Sequence, residues 1–157
     1  MTPLLLVKAV IKFLTPILND ITIKVDEGEV TPRIHEGWVP PKTKSNRDEE
    51  YPHVAVRLKN GTDTKNESTV NIIIYFGSYS YGTLKDDKLV EDYSGYKDIA
   101  NMIERVRQEL LKTSFLGPYI LEDNVTWEIP EEQPYPYWTG NIRTTWKIRQ
   151  IQKDIDI

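Results

Sequence analysis

The chain has 157 residues, enough for one domain with a sizeable core. It is 39% hydrophobic and 28% charged, an ordinary globular composition, and its net charge of −4 argues against nucleic acid as the main partner, because such binders carry a basic excess or stripe. With no cysteine, disulfides, thiol catalysis and cysteine-ligated zinc are excluded, and the chain suits a reducing cytoplasm.

Thr2 is a candidate N-cap and Pro3 suits a first helical turn, so a helix is expected over Pro3–Leu14. Pro16 disfavours helical geometry at Thr15 and should end it. Lys8 and Lys12 lie one turn apart with apolar residues around the rest, the pattern of an amphipathic helix packed on a core. The apolar run is too short to span a bilayer and the two lysines interrupt it. No basic region precedes it and no small-residue cleavage site follows, so neither a membrane anchor nor a signal peptide is expected. The three Asn-X-Ser/Thr sequons, at Asn60, Asn66 and Asn124, are then chance matches. Ile21, Ile23 and Val25 alternate with polar residues as a half-buried strand does. Asp26-Glu27-Gly28 offers a turn, and Val30–Trp38 is a possible return strand that Pro32 would place at a sheet edge. Residues 40–50 combine two prolines with charge and read as a solvated linker.

Tyr51–Phe76 reads as a central hairpin. Val54, Val56 and Leu58 alternate with Ala55, Arg57 and Lys59, and Asn60-Gly61 opens a polar connection with a favoured turn pair. Val70, Ile72, Ile73, Ile74, Tyr75 and Phe76 are apolar on both faces, which predicts a middle strand covered on both sides. One cover would be a helix, and the other the first helix or a neighbouring subunit. Residues 82–91 read as a second charged loop, and Asp92 or Ser94 as the cap of a helix carrying Ile99, Met102, Ile103, Val106 and Leu110 on one side. Gly117-Pro118 would stop it. Tyr119–Ile129 is a strand candidate with Val125, Trp127 and Ile129 on one face. A last strand alternates Ile142, Thr144, Trp146 and Ile148 with Arg143, Thr145, Lys147 and Arg149, and residues 151–157 form a loose tail. The order predicts a single α+β domain: a mostly antiparallel mixed sheet packed by two helices, with long charged loops.

The stretch from Trp127 to Trp146 is the most distinctive. Pro130, Pro134 and Pro136 forbid a helix, and Tyr135, Tyr137 and Trp138 crowd beside them. Stiff Trp and Tyr surfaces serve as interface anchors, although the same residues could equally form a buried cap on their own core. Conventional chemistry finds little footing. His35 and His53 lack partners at metal-ligand spacing, and the adjacent carboxylates Asp48-Glu49-Glu50, Asp86-Asp87 and Glu131-Glu132 point opposite ways on an extended chain. Ser78 and Ser80 lack a nucleophile-elbow motif, and the glycines are too scattered for a phosphate cradle. Arg143, Lys147 and Arg149 form one basic stripe, read as the protected face of an edge strand in preference to a nucleic-acid contact.

PHVAVRL, VNIIIYFGSYS, SGYKDIANMIERVRQELL, the Trp127–Pro130 strand and EEQPYPYWTGNIRTTW follow in this order. In that order they resemble the tail-completion proteins of long-tailed bacteriophages and prophages, more narrowly a tail terminator or head–tail joining protein. The resemblance spans Tyr51–Ile148. It implies a non-enzymatic structural protein, without cofactor or metal, that closes the tail tube as a six-membered ring. Its partners would be the tail-tube protein and a head-completion or connector protein, with DNA passing through the ring without specific binding. It implies a place in the tail of the virion, reached after assembly in the host cytoplasm. A ring interface is head-to-tail and needs two different patches. Tyr135, Tyr137 and Trp138 are candidates for one, with Tyr75, Arg143 and Lys147 as further interface candidates. The alternatives are another minor tail or connector protein, a monomeric host-directed binding module, and a small enzyme whose site is built from loop carboxylates.

Overall fold

A computed structural model describes residues 2–25, 28–39, 51–90 and 92–154. The expected linker at 40–50, the Asp26-Glu27 part of the first turn and the tail at 155–157 lie outside them. The fold is α+β, with two helices on one face of a mixed sheet.

Helix α1 (Pro3–Asn19) begins as expected, with the Thr2 hydroxyl accepting from the Leu5 amide at 3.4 Å. It does not stop at Leu14, and Pro16 lies inside it. The buried stripe of Leu6, Val7, Val10, Leu14 and Leu18 explains this, since ending early would withdraw Leu18 from the core. Packing of the apolar face outweighs the backbone hydrogen bond that a proline cannot make.

Two short strands, β1 (Ile23–Val25) and β2 (Gly28–Val30), pair with each other. Val30 thus belongs to this ribbon, and the expected return strand shrinks to β3 (Arg33–Glu36). Strand β3 follows Pro32 and lies at a sheet edge, parallel to β4 (His53–Asp63). Strand β4 pairs antiparallel with β5 (Ser68–Tyr79), which is central as predicted. The hairpin turn is not at Asn60-Gly61, which lie within β4 beside a register shift. The turn comes at residues 64–67, where the Thr64 hydroxyl accepts from the amides of Asn66 (3.3 Å) and Glu67 (3.1 Å). That side-chain closure, with Ser68 donating to Asp63 at 2.6 Å, settles the turn four residues later than Asn-Gly propensity suggests.

The expected loop after β5 is instead a small hairpin, β6 (Thr83–Lys85) and β7 (Lys88–Val90). Asp86 and Asp87 turn it at φ of 51° and 62°, the left-handed pair of a two-residue hairpin that aspartate tolerates. Helix α2 (Ser94–Leu111) is capped by neither candidate side chain at its N-cap, which is Tyr93. Asp92 instead accepts from the Ser94 amide at 3.0 Å. The helix ends at Leu111, before Gly117-Pro118, with the Thr113 hydroxyl donating to the Glu109 carbonyl at 2.8 Å. Gly117 and Pro118 turn β8 (Phe115–Leu116) into β9 (Tyr119–Leu121). The strand expected over Tyr119–Ile129 is two, β9 and β10 (Thr126–Glu128), broken at 122–125 where the Val125 amide bonds the Asp123 carbonyl. Trp127, expected on one face with Val125 and Ile129, is 54% exposed.

Strand β11 (Tyr137–Ile148) carries the largest correction. It is not an edge strand: β5 pairs along one side, and β10 and β9 take the other. Edge protection therefore cannot explain its basic stripe. By strand alternation Val54, Val56, Val70, Ile72, Ile74, Phe76, Ile142 and Trp146 face the helices and close the core with Ile99, Met102, Ile103 and Val106 of α2. Trp146 is fully buried and its Nε1 donates to Thr144 Oγ1 (2.8 Å), which donates to the Ile72 carbonyl (2.9 Å). The second face of β5, predicted to meet a helix or a neighbouring subunit, meets neither helix. Both helices pack on the first face and on each other.

Candidate functional site

The helix-free face divides into a polar half and an aromatic end, whose rings continue past the end of β5 to Trp138 and to Tyr93 at the start of α2. The aromatic end begins with the proline crossing at 130–136. Gln133 pins it: Nε2 donates to the carbonyls of Pro130 (2.6 Å) and Thr139 (3.1 Å), and Oε1 accepts from the Thr139 amide at 2.7 Å. The Tyr135 hydroxyl donates to the Tyr81 carbonyl at 2.7 Å, and the Ser80 amide donates to the Pro136 carbonyl at 2.9 Å. These bonds fasten the crossing to Ser80 and Tyr81, just past the end of β5, and to Thr139 of β11, and hold it more firmly than its prolines alone would.

The rings form a continuous chain of edge and tilted contacts. Tyr51 lies 4.6 Å from His53 and 5.1 Å from Tyr137, and Tyr79 lies 5.1 Å from Tyr137 and 5.0 Å from Tyr81. Tyr81 continues to Tyr135 at 6.2 Å, Tyr135 to Trp138 at 6.1 Å, and Trp138 to Tyr93 at 6.3 Å. His35 joins at the other end, 6.1 Å from His53. Gly77 sits directly beneath the His53 imidazole, where any β-carbon would collide with the ring.

Of the expected anchors, Tyr135 is 49% exposed and Tyr137 half-buried. Trp138 corrects the surface reading. It is 8% exposed, its Nε1 donates to the Ser80 carbonyl at 3.1 Å, and its ring fills the space that a side chain on Gly95 would need. It points to the helix side because it alternates with Tyr137 on β11. The exposed members of the aromatic end are instead Tyr135, Tyr81 and Tyr93, at 49%, 48% and 56%. Sequence reasoning missed Tyr51, Tyr79, Tyr81 and Tyr93. The Ser-Tyr-Ser-Tyr repeat at 78–81 was the available signal, placing Tyr79 and Tyr81 two residues apart at the end of a strand.

Tyr75, Arg143 and Lys147 do not join this network. Tyr75 lies under the Arg57 guanidinium, which stacks 4.2 Å from its ring and 4.5 Å from Trp38 while donating to the Gly37 carbonyl at 3.0 Å. Lys147 is held by Glu67 (3.4 Å) and Glu122 (3.7 Å), and Glu122 first, then Glu67, keep its ammonium above the usual lysine range. Arg143 makes no ion pair among the described residues and lines a polar groove of about 250 Å³.

The histidines that looked isolated in sequence are neighbours, because the parallel pairing of β3 with β4 sets Arg33 opposite His53 and His35 opposite Ala55. His35 Nε2 and Asn141 Oδ1 are buried without a hydrogen-bond partner among the described residues. Among the described residues no group of three His, Cys, Asp or Glu side chains is placed to hold a metal, and no helix is long and apolar enough to cross a membrane. On α2, burial and then the neighbouring Asp92 push the Asp98 carboxyl from its ordinary 3.8 up to about 6. Neither the family models nor the curated proteins include a match to this chain.

Proposed function

We propose that this protein is a structural assembly protein of a long-tailed bacteriophage or prophage, which closes the end of the tail tube and joins it to the head. On this reading it acts as a ring, six-membered by the resemblance of Tyr51–Ile148, in the tail of the virion. Its partners are the tail-tube protein and a head-completion protein. The observation that carries the reading is the aromatic end. Tyr81, Tyr93 and Tyr135 are about half exposed, yet Gln133 and the ring contacts hold their surroundings in place. Aromatics already ordered lose little freedom on docking, which is what makes them effective anchors.

Light scattering of the free protein and electron microscopy of it mixed with purified tails test the proposal. Rings in solution, or protein seated at tail ends, are expected. Replacing Tyr81 and Tyr135 together by serine should abolish both while leaving the far-ultraviolet circular dichroism unchanged. A protein that stays monomeric and never decorates tail ends overturns the reading.

A further inference from the structure

Arg143 is an exposed guanidinium on a central strand of the helix-free face. Four strands build its surroundings. In one cross-strand row Asn60, Asn71 and Thr145 lie side by side, with Asn71 Nδ2 donating to Asn60 Oδ1 (2.6 Å) and Thr145 Oγ1 donating to Asn71 Oδ1 (2.7 Å). In the next row Ile73 lies between Arg57 and Arg143, and Thr126 of β10 follows Arg143. Ile73 is only 3% exposed and floors the groove, which Lys59 and Asn124 complete.

Three comparisons within the protein make this more than a charged surface. Arg57, the other guanidinium of the same row, is consumed by Trp38, Tyr75 and the Gly37 carbonyl. Lys147, two strand periods along, is neutralised by Glu67 and Glu122. Arg143 and Lys59 have no such partner among the described residues, and no carboxylate lines their groove. Two uncompensated cations in a chain of net charge −4 fit a dianion. A phosphate monoester carries about −1.5 to −2 at neutral pH and offers several acceptor oxygens to a guanidinium and an ammonium. Apart from the Ile73 floor, the remaining lining is neutral amide and hydroxyl, with Asn60, Asn71 and Thr145 fixed by their own hydrogen bonds, which suits the hydroxyl and ether oxygens of a sugar. The volume of about 250 Å³ exceeds what a lone carboxylate or phosphate would fill.

We propose that this groove is a binding site for a sugar phosphate, with Arg143 and Lys59 on the phosphate and Asn60, Asn124 and Thr126 on the sugar. The site is separate from the aromatic end and does not depend on the assembly reading. Ribose 5-phosphate, ribose, inorganic phosphate and a short oligothymidylate lacking a terminal phosphate, titrated into isotopically labelled protein and followed by amide and side-chain NMR shifts, test it. Saturable shifts at Asn71 and Thr145 with ribose 5-phosphate are expected, with ribose and inorganic phosphate each weaker by about tenfold or more. Arg143→Gln, at an exposed position, should weaken binding by about tenfold, whereas Lys147→Gln should leave it unchanged. Weaker binding of the oligothymidylate, whose internal phosphodiesters each carry a single charge, is expected for a site built for a phosphate monoester, and tighter binding overturns the proposal. Absence of saturable shifts, equal binding of inorganic phosphate as an adventitious ion only, or unchanged affinity in Arg143→Gln each overturns the proposal.

Discussion

The two faces of the sheet are made from the same strands, yet they follow different rules. On the helix side β4, β5 and β11 contribute valine, isoleucine, phenylalanine and tryptophan that are almost wholly buried under α1 and α2. On the other side the same strands contribute tyrosines, histidines, asparagines and arginines whose neighbours are one another. The first face is fixed by burial, which tolerates exchange among apolar residues of similar volume. The second is fixed by pairwise geometry, in which each ring or amide needs its particular partner. Stability should therefore concentrate on one face and recognition on the other. Trp138 and Tyr137, adjacent in sequence, separate the two.

The sharpest way to break this comparison is Trp138→Ala. The ring is buried against α2 at Gly95 and its Nε1 is bonded to the Ser80 carbonyl. Truncation should cost about 3–5 kcal/mol, the range for a core aromatic. Tyr135→Ala, on an exposed ring in the same segment, should cost about 1 kcal/mol, the range for one exposed hydrogen bond and modest burial. Urea midpoints of both variants give the answer. Equal midpoints would mean that the two faces do not divide the work.

The helix-side face was legible because it needs only alternation. The α2 stripe from Ile99 to Leu110, the two-sided β5 and the inward residues of β11 all follow from counting by 3.6 or by two. Pro16 within α1 and Asn60-Gly61 within β4 defeated local rules because long-range packing and the Thr64 side chain decided those boundaries. The helix-free face was legible only in part. Which residues become neighbours there depends on register, and no local pattern reveals that Asn60 meets Asn71 or that His35 meets His53. The aromatic crossing stood out by composition, but the choice between Trp138 inside and Tyr135 outside depended on where β11 began.

Gln133→Ala sharpens the comparison from inside the aromatic segment. Its amide makes bonds to Pro130, Thr139 and the Thr139 amide, in a part-buried setting, and the variant would leave those backbone groups without partners. A loss of about 2 kcal/mol is expected by urea denaturation. Amide hydrogen exchange should rise at Thr139 and Tyr137 while that of α2 stays slow relative to them. Uniform exchange across the molecule would show that prolines alone hold the crossing.

The smallest expected effect is electrostatic and lies on the helix side. Asp98 sits near the start of α2 with its carboxyl pushed up to about 6, first by burial and second by Asp92. In the unfolded chain it returns to about 3.8, so between these values the folded state holds a proton that the unfolded state has lost. Its contribution to stability is therefore fully present below about pH 4 and is lost as the pH rises through about 6. A shift of this size corresponds to about 3 kcal/mol at full value, and the side chain is partly exposed, so solvent screening reduces the expectation to about 1 kcal/mol. Asp98→Asn is neutral at every pH. It should stabilise the protein by about 1 kcal/mol at pH 7 and by nothing near pH 4, where the parent carboxyl is also uncharged. Thermal denaturation of parent and variant across this range measures the difference directly, with every other carboxylate common to both. A gain that is the same at pH 4 and pH 7 would assign the effect to packing and not to the charge of Asp98.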